Sequence, residues 1–279
     1  MTFDALGPGA LDYLPCRYGA SRLLFRGPRR DLNAPYVAFV GGTETYGKFI
    51  AKPFPALVEE QLGMTCVNFG LPNAGIDAFA HDPFVPGATA KGAITVLQVM
   101  GAQNMTNRFY TVHPRRNDRF VSASNLLRTI YREVDFADFH YNRHLVTELA
   151  RVSPDRFATV RAELQAAWSA RMRLMLKQIS GRSIVLWFSD HAPQSQDATV
   201  NDGDLSGDPL FITREMMDEV RALATHVVEV VASPEACAAG TDGMVFAEME
   251  SVAAAEMLGP DAHAEAADAL LQTIRYMMP

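Results

Sequence analysis

The chain has 279 residues, of which 48% are apolar and 20% are charged, and its formal net charge at pH 7 is −7. This composition is sufficient for a complete hydrophobic core and argues against a disordered chain. The acidic balance argues against a general nucleic-acid-binding protein, because such proteins usually present a basic face.

Residues 1–35 are rich in Gly, Pro and Arg, which predicts an ordered arm rather than a separate domain. The start of this arm has an acidic residue and no long apolar run, so we expect no signal peptide. No stretch of the chain approaches the roughly 18 apolar residues of a membrane span, so we expect no membrane association. The three cysteines, Cys16, Cys66 and Cys237, lack metal-type spacing and are interpreted as reduced thiols of a cytoplasmic protein.

Five short runs rich in β-forming residues predict the strands of a parallel sheet. They are almost continuously apolar, which is typical of strands that helices cover on both faces. Helical segments separate the runs, and this alternation predicts an α/β fold with a doubly wound sheet. The predicted strands span residues 36–41, 65–69, 93–99, 183–189 and 226–231.

Two helices have clear signals in the sequence. Apolar spacing predicts a helix over residues 48–62, with Pro53 and Pro55 near its first turn or interrupting it. The pair Ser153-Pro154 is a capping signal and predicts the start of a long helix, whose apolar face extends to Ile179.

The third and fourth predicted strands are separated by residues 100–182, which is far longer than a single-helix crossover. Within this stretch, residues 104–152 are predicted to form an α-helical insert. We therefore expect one domain over residues 1–279, with the arm at one end and the insert after the third strand.

The segment from Tyr36 to Lys48 ends an apolar strand in glycines, places a hydroxyl residue at the turn and leads into a helical segment. In open α/β sheets, ligands bind at such carboxyl-end junctions. One interpretation is a nucleophilic hydroxyl on a tight turn, with Thr43 as the candidate. The other is a phosphate cradle, because Gly42 to Lys48 reads G-x-x-x-x-G-K, although Phe49 stands where a P-loop has Ser or Thr.

Four segments in order along the chain resemble the sequence blocks of the SGNH (GDSL-type) hydrolase family. They are FVGGTETYG at 39–47, VNFGLPNAG at 67–75, LQVMGAQN at 97–104 and GPDAHAEAADALL at 259–271. The resemblance covers most of the chain apart from the arm and the insert. It implies a flavodoxin-like sheet of about five parallel strands.

The resemblance also implies roles for individual residues. Thr43 stands at the position of the nucleophilic Ser, and His263 stands at that of the general base, with Asp261 as its supporting acid. The positions that would stabilise an oxyanion are Gly70, Gln103 and Asn104. The sequence departs from the family pattern in that Thr43 is a secondary alcohol with a restricted χ1, and Asp261 is two rather than three residues before His263.

Some of these residues have simpler interpretations that the sequence leaves open. Thr43 can cap the helix that follows it. Gly70 can be an ordinary turn glycine, and His263 can be an ordinary histidine near the start of a helix.

The predicted insert has four arginines between residues 108 and 119, interleaved with aromatic residues. Arginine binds carboxylate, sulfate or phosphate in bidentate fashion, and this segment follows the third strand, so we expect it near Thr43. Arg115, Arg116 and Arg119 are therefore candidates for recognising an anionic group. The alternative is pairing within the insert, with the acids Glu133, Asp135 and Asp138.

These patterns predict a divergent acyl-ester hydrolase or acyltransferase that acts on a small molecule or saccharide carrying an anionic group. The alternatives are a non-catalytic protein of the same fold that binds an anion or glycan, and a P-loop-like nucleotide or sulfo-group transferase. We expect no cofactor and no metal, because His140 and His144 share a helix face but have no matching third ligand. Neither nucleic acid nor a membrane is an expected partner.

Overall fold

The structure of the protein is a computed structural model that describes residues 10–195, 205 and 207–278. The strands are β1 (Val37–Gly41), β2 (Cys66–Gly70), β3 (Ile94–Gln98), β4 (Tyr110–His113), β5 (Arg116–Ala123), β6 (Ser183–Ser189) and β7 (His226–Val231). The helices are α1 (Thr43–Tyr46), α2 (Phe54–Leu62), α3 (Ile76–Ala80), α4 (Val85–Lys91), α5 (Asn125–Ile130), α6 (Asn142–Val152), α7 (Pro154–Ile179), α8 (Arg214–Arg221), α9 (Pro234–Ala239), α10 (Ser251–Ala255) and α11 (Pro260–Met277).

The central sheet contains the five strands that the sequence predicts, all parallel, in the order β2-β1-β3-β6-β7. Numbered among the parallel strands alone, this order is 2-1-3-4-5, which is the flavodoxin-like arrangement. The predicted α/β, flavodoxin-like fold is therefore confirmed. The strand order reverses between β1 and β3, so the crevice at their carboxyl ends is the expected ligand position.

Hydrophobic cores lie on both faces of the sheet, as the apolar strands require. Alternate residues of β1 pack into the cores on opposite faces of the sheet, because the side chains of a strand alternate between its faces. Ala38 and Val40 join the core beneath α3, α4 and α7, whereas Val37 and Phe39 join the core beneath α2 and α11.

The two predicted helices are present, with one shifted boundary. Helix α2 begins at Phe54 rather than at residue 48, because Pro53 is its N-cap and Phe49 has a left-handed backbone with φ +67°. Helix α7 begins at Pro154 as predicted, and the Ser153 hydroxyl accepts a hydrogen bond from a backbone N–H of its first turn.

The insert contains helices, as predicted, but it begins with an antiparallel hairpin of β4 and β5 that the sequence analysis missed. The hairpin is followed by α5, a short 3-10 turn at Phe136–Asp138 and α6. Tyr110 and Val112 are buried while Thr111 is exposed, which is the alternation of a half-buried strand. Over four residues this signal is too short to separate from the surrounding arginines.

The described part of the arm packs against the sheet. Tyr18 and Phe25 are buried in the core, and the guanidinium of Arg26 donates to four backbone carbonyls between residues 46 and 51. Cys16, Cys66 and Cys237 are free thiols. Of the helices in the described residues, none has the length and apolar character needed to span a membrane.

Candidate functional site

Gln98, the last residue of β3, organises the turn that follows β1. Its Oε1 accepts hydrogen bonds from the backbone N–H of Gly42 (3.0 Å), from that of Thr45 (3.2 Å) and from the Thr45 hydroxyl (2.5 Å). Its Nε2 donates to Glu44 Oε2 at 2.7 Å. Gly41 must be glycine, because a Cβ there would lie 2.6 Å from the Gln98 Cβ. One amide therefore fixes both ends of the predicted nucleophile turn.

The Thr43 hydroxyl is bound to the loop after β2. It accepts the backbone N–H of Asn73 at 2.9 Å and donates to Asn73 Oδ1 at 3.3 Å, and Thr43 is 8% exposed. The N-cap of α1 is Gly42, and Thr43 is the first residue inside the helix, with no side-chain cap bond. The simpler interpretation of Thr43 as a helix cap is therefore wrong.

Asn104 is brought to the same place by a chain of asparagines. Its Nδ2 donates to the carbonyl of Asn73 at 3.1 Å, and its Oδ1 accepts from Asn142 Nδ2 at 3.1 Å. Asn73 itself has φ +54°, a left-handed conformation that asparagine tolerates better than most residues. Thr43 and Asn104 thus meet through Asn73, which the sequence analysis did not select.

Gly70 does not offer its backbone N–H to the site, because that group donates to Asn68 Oδ1 at 2.8 Å. A Cβ at this position would lie 2.7 Å from the carbonyl carbon of Thr45 and from the Cα of Tyr46. Gly70 therefore allows α1 to pack directly on the end of β2. The expected oxyanion role is corrected to a packing role.

The Gln103 side chain is hydrogen-bonded to Asp208, whereas the partner of the Thr43 hydroxyl is Asn73. Gln103 is 4% exposed, and its backbone carbonyl accepts from the Tyr110 hydroxyl at 2.6 Å. Its Oε1 is buried and has no hydrogen-bond partner among the described residues. The expected pairing of Gln103 with Asn104 as oxyanion donors at Thr43 is not formed.

His263 is a buried core residue, 1% exposed. Its Nδ1 accepts the backbone N–H of Phe54 at 3.2 Å, and its ring stacks on Phe54 and meets Phe188 edge-on. Burial lowers the pKa of His263 to about 3, and the charge of Arg26 adds to the effect. The imidazole is therefore neutral at physiological pH, with its Nδ1 already occupied.

The expected dyad is consequently not assembled. The hydrogen bonds of the described residues connect neither His263 with Thr43 nor Asp261 with His263. Asp261 is exposed at the start of α11, on the opposite side of the helix from its buried residues. The altered spacing places the carboxylate in solvent, where it cannot orient the imidazole.

The phosphate-cradle interpretation is also not supported, because backbone N–H groups of the turn donate to carbonyls of the same turn. Tyr46 donates to the carbonyl of Gly42, and both Gly47 and Lys48 donate to that of Thr43. The Lys48 ammonium lies 3.8 Å from Glu250 and over the ring of its neighbour Phe49. A P-loop needs a series of free N–H groups and a lysine directed at the phosphate, whereas here the N–H groups of Tyr46, Gly47 and Lys48 are engaged and the Lys48 ammonium is beside Glu250.

The arginines of the hairpin differ in their exposure to solvent. Arg115 and Arg116 are exposed, while Arg119 lies over the Tyr141 ring at 4.3 Å. Two of the three acids expected to neutralise them are engaged elsewhere, since Glu133 pairs with Arg156 and Asp135 accepts a hydrogen bond from the backbone of Ala137.

The hairpin is fastened to the loop that carries Asn73. Asn117 on β5 accepts the backbone N–H groups of Gly75 (3.1 Å) and Ala78 (2.9 Å). The same side chain donates to the carbonyl of His113, which holds the tip of the hairpin. The insert therefore stands beside the carboxyl edge of the sheet, as the sequence analysis expects.

Two carboxyl groups that the sequence analysis did not select also lie at this edge. Glu44 follows Thr43 directly and is partly buried against Gln98, and Asp208 forms an ion pair with Arg143 of α6. No sequence motif marks either residue. In the described part of the chain, no cluster of three or more metal-binding side chains was found.

These features define the class of the protein: a flavodoxin-like α/β protein with a polar site at the carboxyl ends of β1 and β3. The chain belongs to the family described as Domain of unknown function (DUF6473), whose family model matches residues 1–278. The comparison with curated proteins gave no match.

Two solved structures are similar in outline. The lipase Lip_vut3 from a goat rumen metagenome has 9% identity and a TM-score of 0.46, over 88% of this chain and 97% of its own. A candidate lipolytic protein of the G-D-S-L family from Desulfitobacterium hafniense DCB-2 has 10% identity and a TM-score of 0.42, over 86% of this chain and 99% of its own. At these values neither similarity carries an argument about activity, and the fold rests on the strand order given above.

Proposed function

We propose that the protein is a divergent acyl-ester hydrolase or acyltransferase acting on a small molecule or saccharide that carries an anionic group. The reaction centre would be the Thr43 hydroxyl at the carboxyl end of β1. Arg115 and Arg116 at the hairpin tip would recognise the anionic group, with Arg119 held on Tyr141 behind them.

The observation that carries this proposal is the contact between Thr43 and Asn73. A backbone N–H lies 2.9 Å from the alcohol oxygen, so this donor stands next to the atom that would attack and within reach of an acyl oxygen bonded beside it, where negative charge would develop. Asn104 holds the same loop through the Asn73 carbonyl. We assign Asn73 the direct donor role, and Asn104 the role of positioning it.

Catalysis at Thr43 requires that substrate displace its hydrogen bond to Asn73 Oδ1. It also requires a proton acceptor other than His263, whose Nδ1 and stacked ring are committed to the core. Nucleophilic alcohols are weak without an adjacent base, so we expect slow turnover.

The second candidate function is non-catalytic binding of an anion or glycan at the same edge. The specific observation in its favour is the missing dyad, because Thr43 is satisfied by Asn73 and His263 is neutral and buried. Exposed Arg115 and Arg116 serve this function equally well.

Hydrolysis of short-chain 4-nitrophenyl esters separates the two functions. Thr43→Ala should reduce turnover to the background rate, whereas Thr43→Ser should retain it, because the hydroxyl remains and the crowding methyl is removed. Thr111→Ala, at an exposed position of the hairpin, is the matched control. Turnover that persists in Thr43→Ala would refute the nucleophile role.

Sulfate binding tests the shared recognition element independently of turnover. The double variant Arg115→Ala/Arg116→Ala should lose sulfate affinity measured by calorimetry, while Arg132→Ala, another exposed arginine of the insert, should not. Sulfate binding without turnover of any ester would support the second candidate, and unchanged binding in the double variant would exclude both arginines from recognition.

A further inference from the structure

Helix α6 begins in the insert without a side-chain cap on its first turn. Its N-cap residue is Tyr141, whose side chain makes no hydrogen bond to the backbone there. The first backbone bond of the helix runs from the Leu145 N–H to the Tyr141 carbonyl at 3.1 Å. The N–H groups of residues 142–144 therefore have no partner within this helix of 11 residues. Such N–H groups, together with the helix dipole, favour an anion at this end.

Arg119 of β5 brings a positive charge to the N-cap residue. Its backbone forms an antiparallel bridge with that of Tyr141, and its guanidinium carbon lies 4.3 Å from the centroid of the Tyr141 ring. The contact continues at the next residue, because the Phe120 N–H donates to the His140 carbonyl at 3.1 Å. Among the described residues, the buried Nε of Arg119 has no hydrogen-bond acceptor. A guanidinium that is held in place without an acceptor is suited to bind a carboxylate or a phosphate.

The other charged side chains around this end of α6 leave it positive. Asp118, which precedes Arg119, interacts with the charges of both Arg116 and Arg119 and so offsets part of them. Arg143, the second residue of α6, pairs with Asp208. Outside that pair, two arginines and the helix end stand against one acid, so the balance attracts an anion.

Asn142, the first residue of α6, adds an unpaired acceptor. The residue is 0% exposed, and its Nδ2 donates to Asn104 Oδ1 at 3.1 Å and to the Asn117 carbonyl. Its Oδ1 has no hydrogen-bond partner among the described residues, and turning the amide over would place this oxygen against the Asn117 carbonyl. Side chains of a helix lean towards its N-terminus, so the oxygen lies at the open end of α6. A buried acceptor left unpaired is costly, and a hydroxyl group of a ligand would satisfy it.

This end of α6 is connected to the site beside Thr43 by hydrogen bonds. Asn142 donates to Asn104, and Asn104 Nδ2 donates to the Asn73 carbonyl at 3.1 Å. The backbone N–H of Asn73 in turn donates to the Thr43 hydroxyl. The uncapped helix end and Thr43 therefore belong to the same edge of the sheet.

We propose that the uncapped end of α6 binds the anionic group of a small hydroxy acid or sugar acid. The oxyanion accepts from the N–H groups of residues 142–144 and from the Arg119 guanidinium, and a hydroxyl group of the same molecule donates to Asn142 Oδ1. Because this oxygen is covered in the structure, binding moves a neighbouring side chain, and Tyr141, which is 46% exposed, is the residue that moves. The inference rests on the proposed function, because it locates the anionic group of that substrate.

Amide NMR of ¹⁵N-labelled protein titrated with D-glucuronate tests the position of the anion. The N–H signals of residues 142–144 should shift as the ligand is added. Asp261 and Ala262 lie in the first turn of α11, which also lacks a side-chain cap, and their signals should stay in place. Unmoved signals at 142–144, or equal shifts in α11, would overturn the proposal.

D-glucose and acetate test the two parts of the ligand separately. Glucose has hydroxyl groups without a charge, and acetate has a charge without a hydroxyl group. Each should bind at least about tenfold more weakly than glucuronate, because each leaves one set of hydrogen bonds unmade. Equal affinity for acetate would refute the role of Asn142, and equal affinity for glucose would refute the anion site.

Tyr141→Asp is the sharpest variant, because an aspartate at the N-cap accepts the first-turn N–H groups itself and repels an anion. It should abolish glucuronate binding while its urea midpoint equals or exceeds that of the wild type, and Tyr141→Phe should retain binding. Arg119→Met should weaken binding by about tenfold to a hundredfold. Arg128→Met, which removes another arginine stacked on a ring of the insert, is the control and should not weaken it.

Equal binding of glucuronate by the wild type and Tyr141→Asp would overturn the proposal, as would equal binding by the wild type and Arg119→Met. None of these measurements uses ester turnover. Failure of the proposed hydrolase activity therefore leaves their results unaffected, and loss of the anion site leaves the Thr43 variants to be judged by turnover alone.

Discussion

Removing the titration of His263 should flatten the acid limb of the protein's stability profile. Burial lowers the pKa of this imidazole from an ordinary 6.5 to about 3. Between these two values the unfolded chain binds a proton at His263 that the folded chain does not bind. Between pH 3 and 6.5 the free energy of unfolding therefore rises with pH. The contribution that comes from keeping His263 neutral is lost as the pH falls from 6.5 towards 3. The slope is about 1.4 kcal/mol per pH unit, and the full window corresponds to roughly 5 kcal/mol.

His263→Gln keeps an acceptor for the Phe54 N–H and removes the titration. Urea unfolding at several pH values should show the wild type losing about 1.4 kcal/mol more than the variant for each unit below 6.5. His140→Gln, at an exposed position, is the control and should follow the wild type. Equal slopes for wild type and His263→Gln between pH 6.5 and 5 would show that the imidazole is accessible to protons and can serve as a general base.

Two further variants test the packing around the turn. Gly70→Ala should lower the free energy of unfolding by about 1–3 kcal/mol or more, because the added Cβ meets backbone atoms of α1. Gly87→Ala, which has open space around it in α4, is the control and should be neutral or slightly stabilising. Equal urea midpoints for the two variants would contradict the packing role of Gly70. Arg26→Met should lower the free energy of unfolding by about 3 kcal/mol or more, because four backbone carbonyls lose a buried charged donor. The same substitution at exposed Arg22 is the control and should change it little. A small loss in Arg26→Met would mean that the arm does not hold the 46–51 segment in place.

The sequence predicts the sheet well because the strands are local signals. Each is a short apolar run between polar or glycine-rich segments, and burial on both faces makes such runs nearly continuous. The start of α7 was equally readable from Ser153-Pro154. The sequence does not reveal the hairpin, because Tyr110 and Val112 alternate with polar residues over too short a distance, next to a run of arginines.

The sequence indicates which segments reach the carboxyl edge of the sheet, but it does not indicate which side chains contact one another there. Thr43 follows β1 and Asn104 lies in the segment after β3, so the topology brings both to one edge. His263 lies on a helix, where packing decides the direction of the side chain. Its imidazole packs into the core beneath α2 and not towards Thr43.

The central claim is that the reactive edge is built around Thr43 without His263. The most direct measurement is kcat/KM for a short-chain 4-nitrophenyl ester in wild type, Thr43→Ala and His263→Gln, at a pH where circular dichroism shows all three folded. The structure predicts loss of turnover in Thr43→Ala and retention in His263→Gln. Loss in His263→Gln, with turnover preserved in Thr43→Ala, would contradict it.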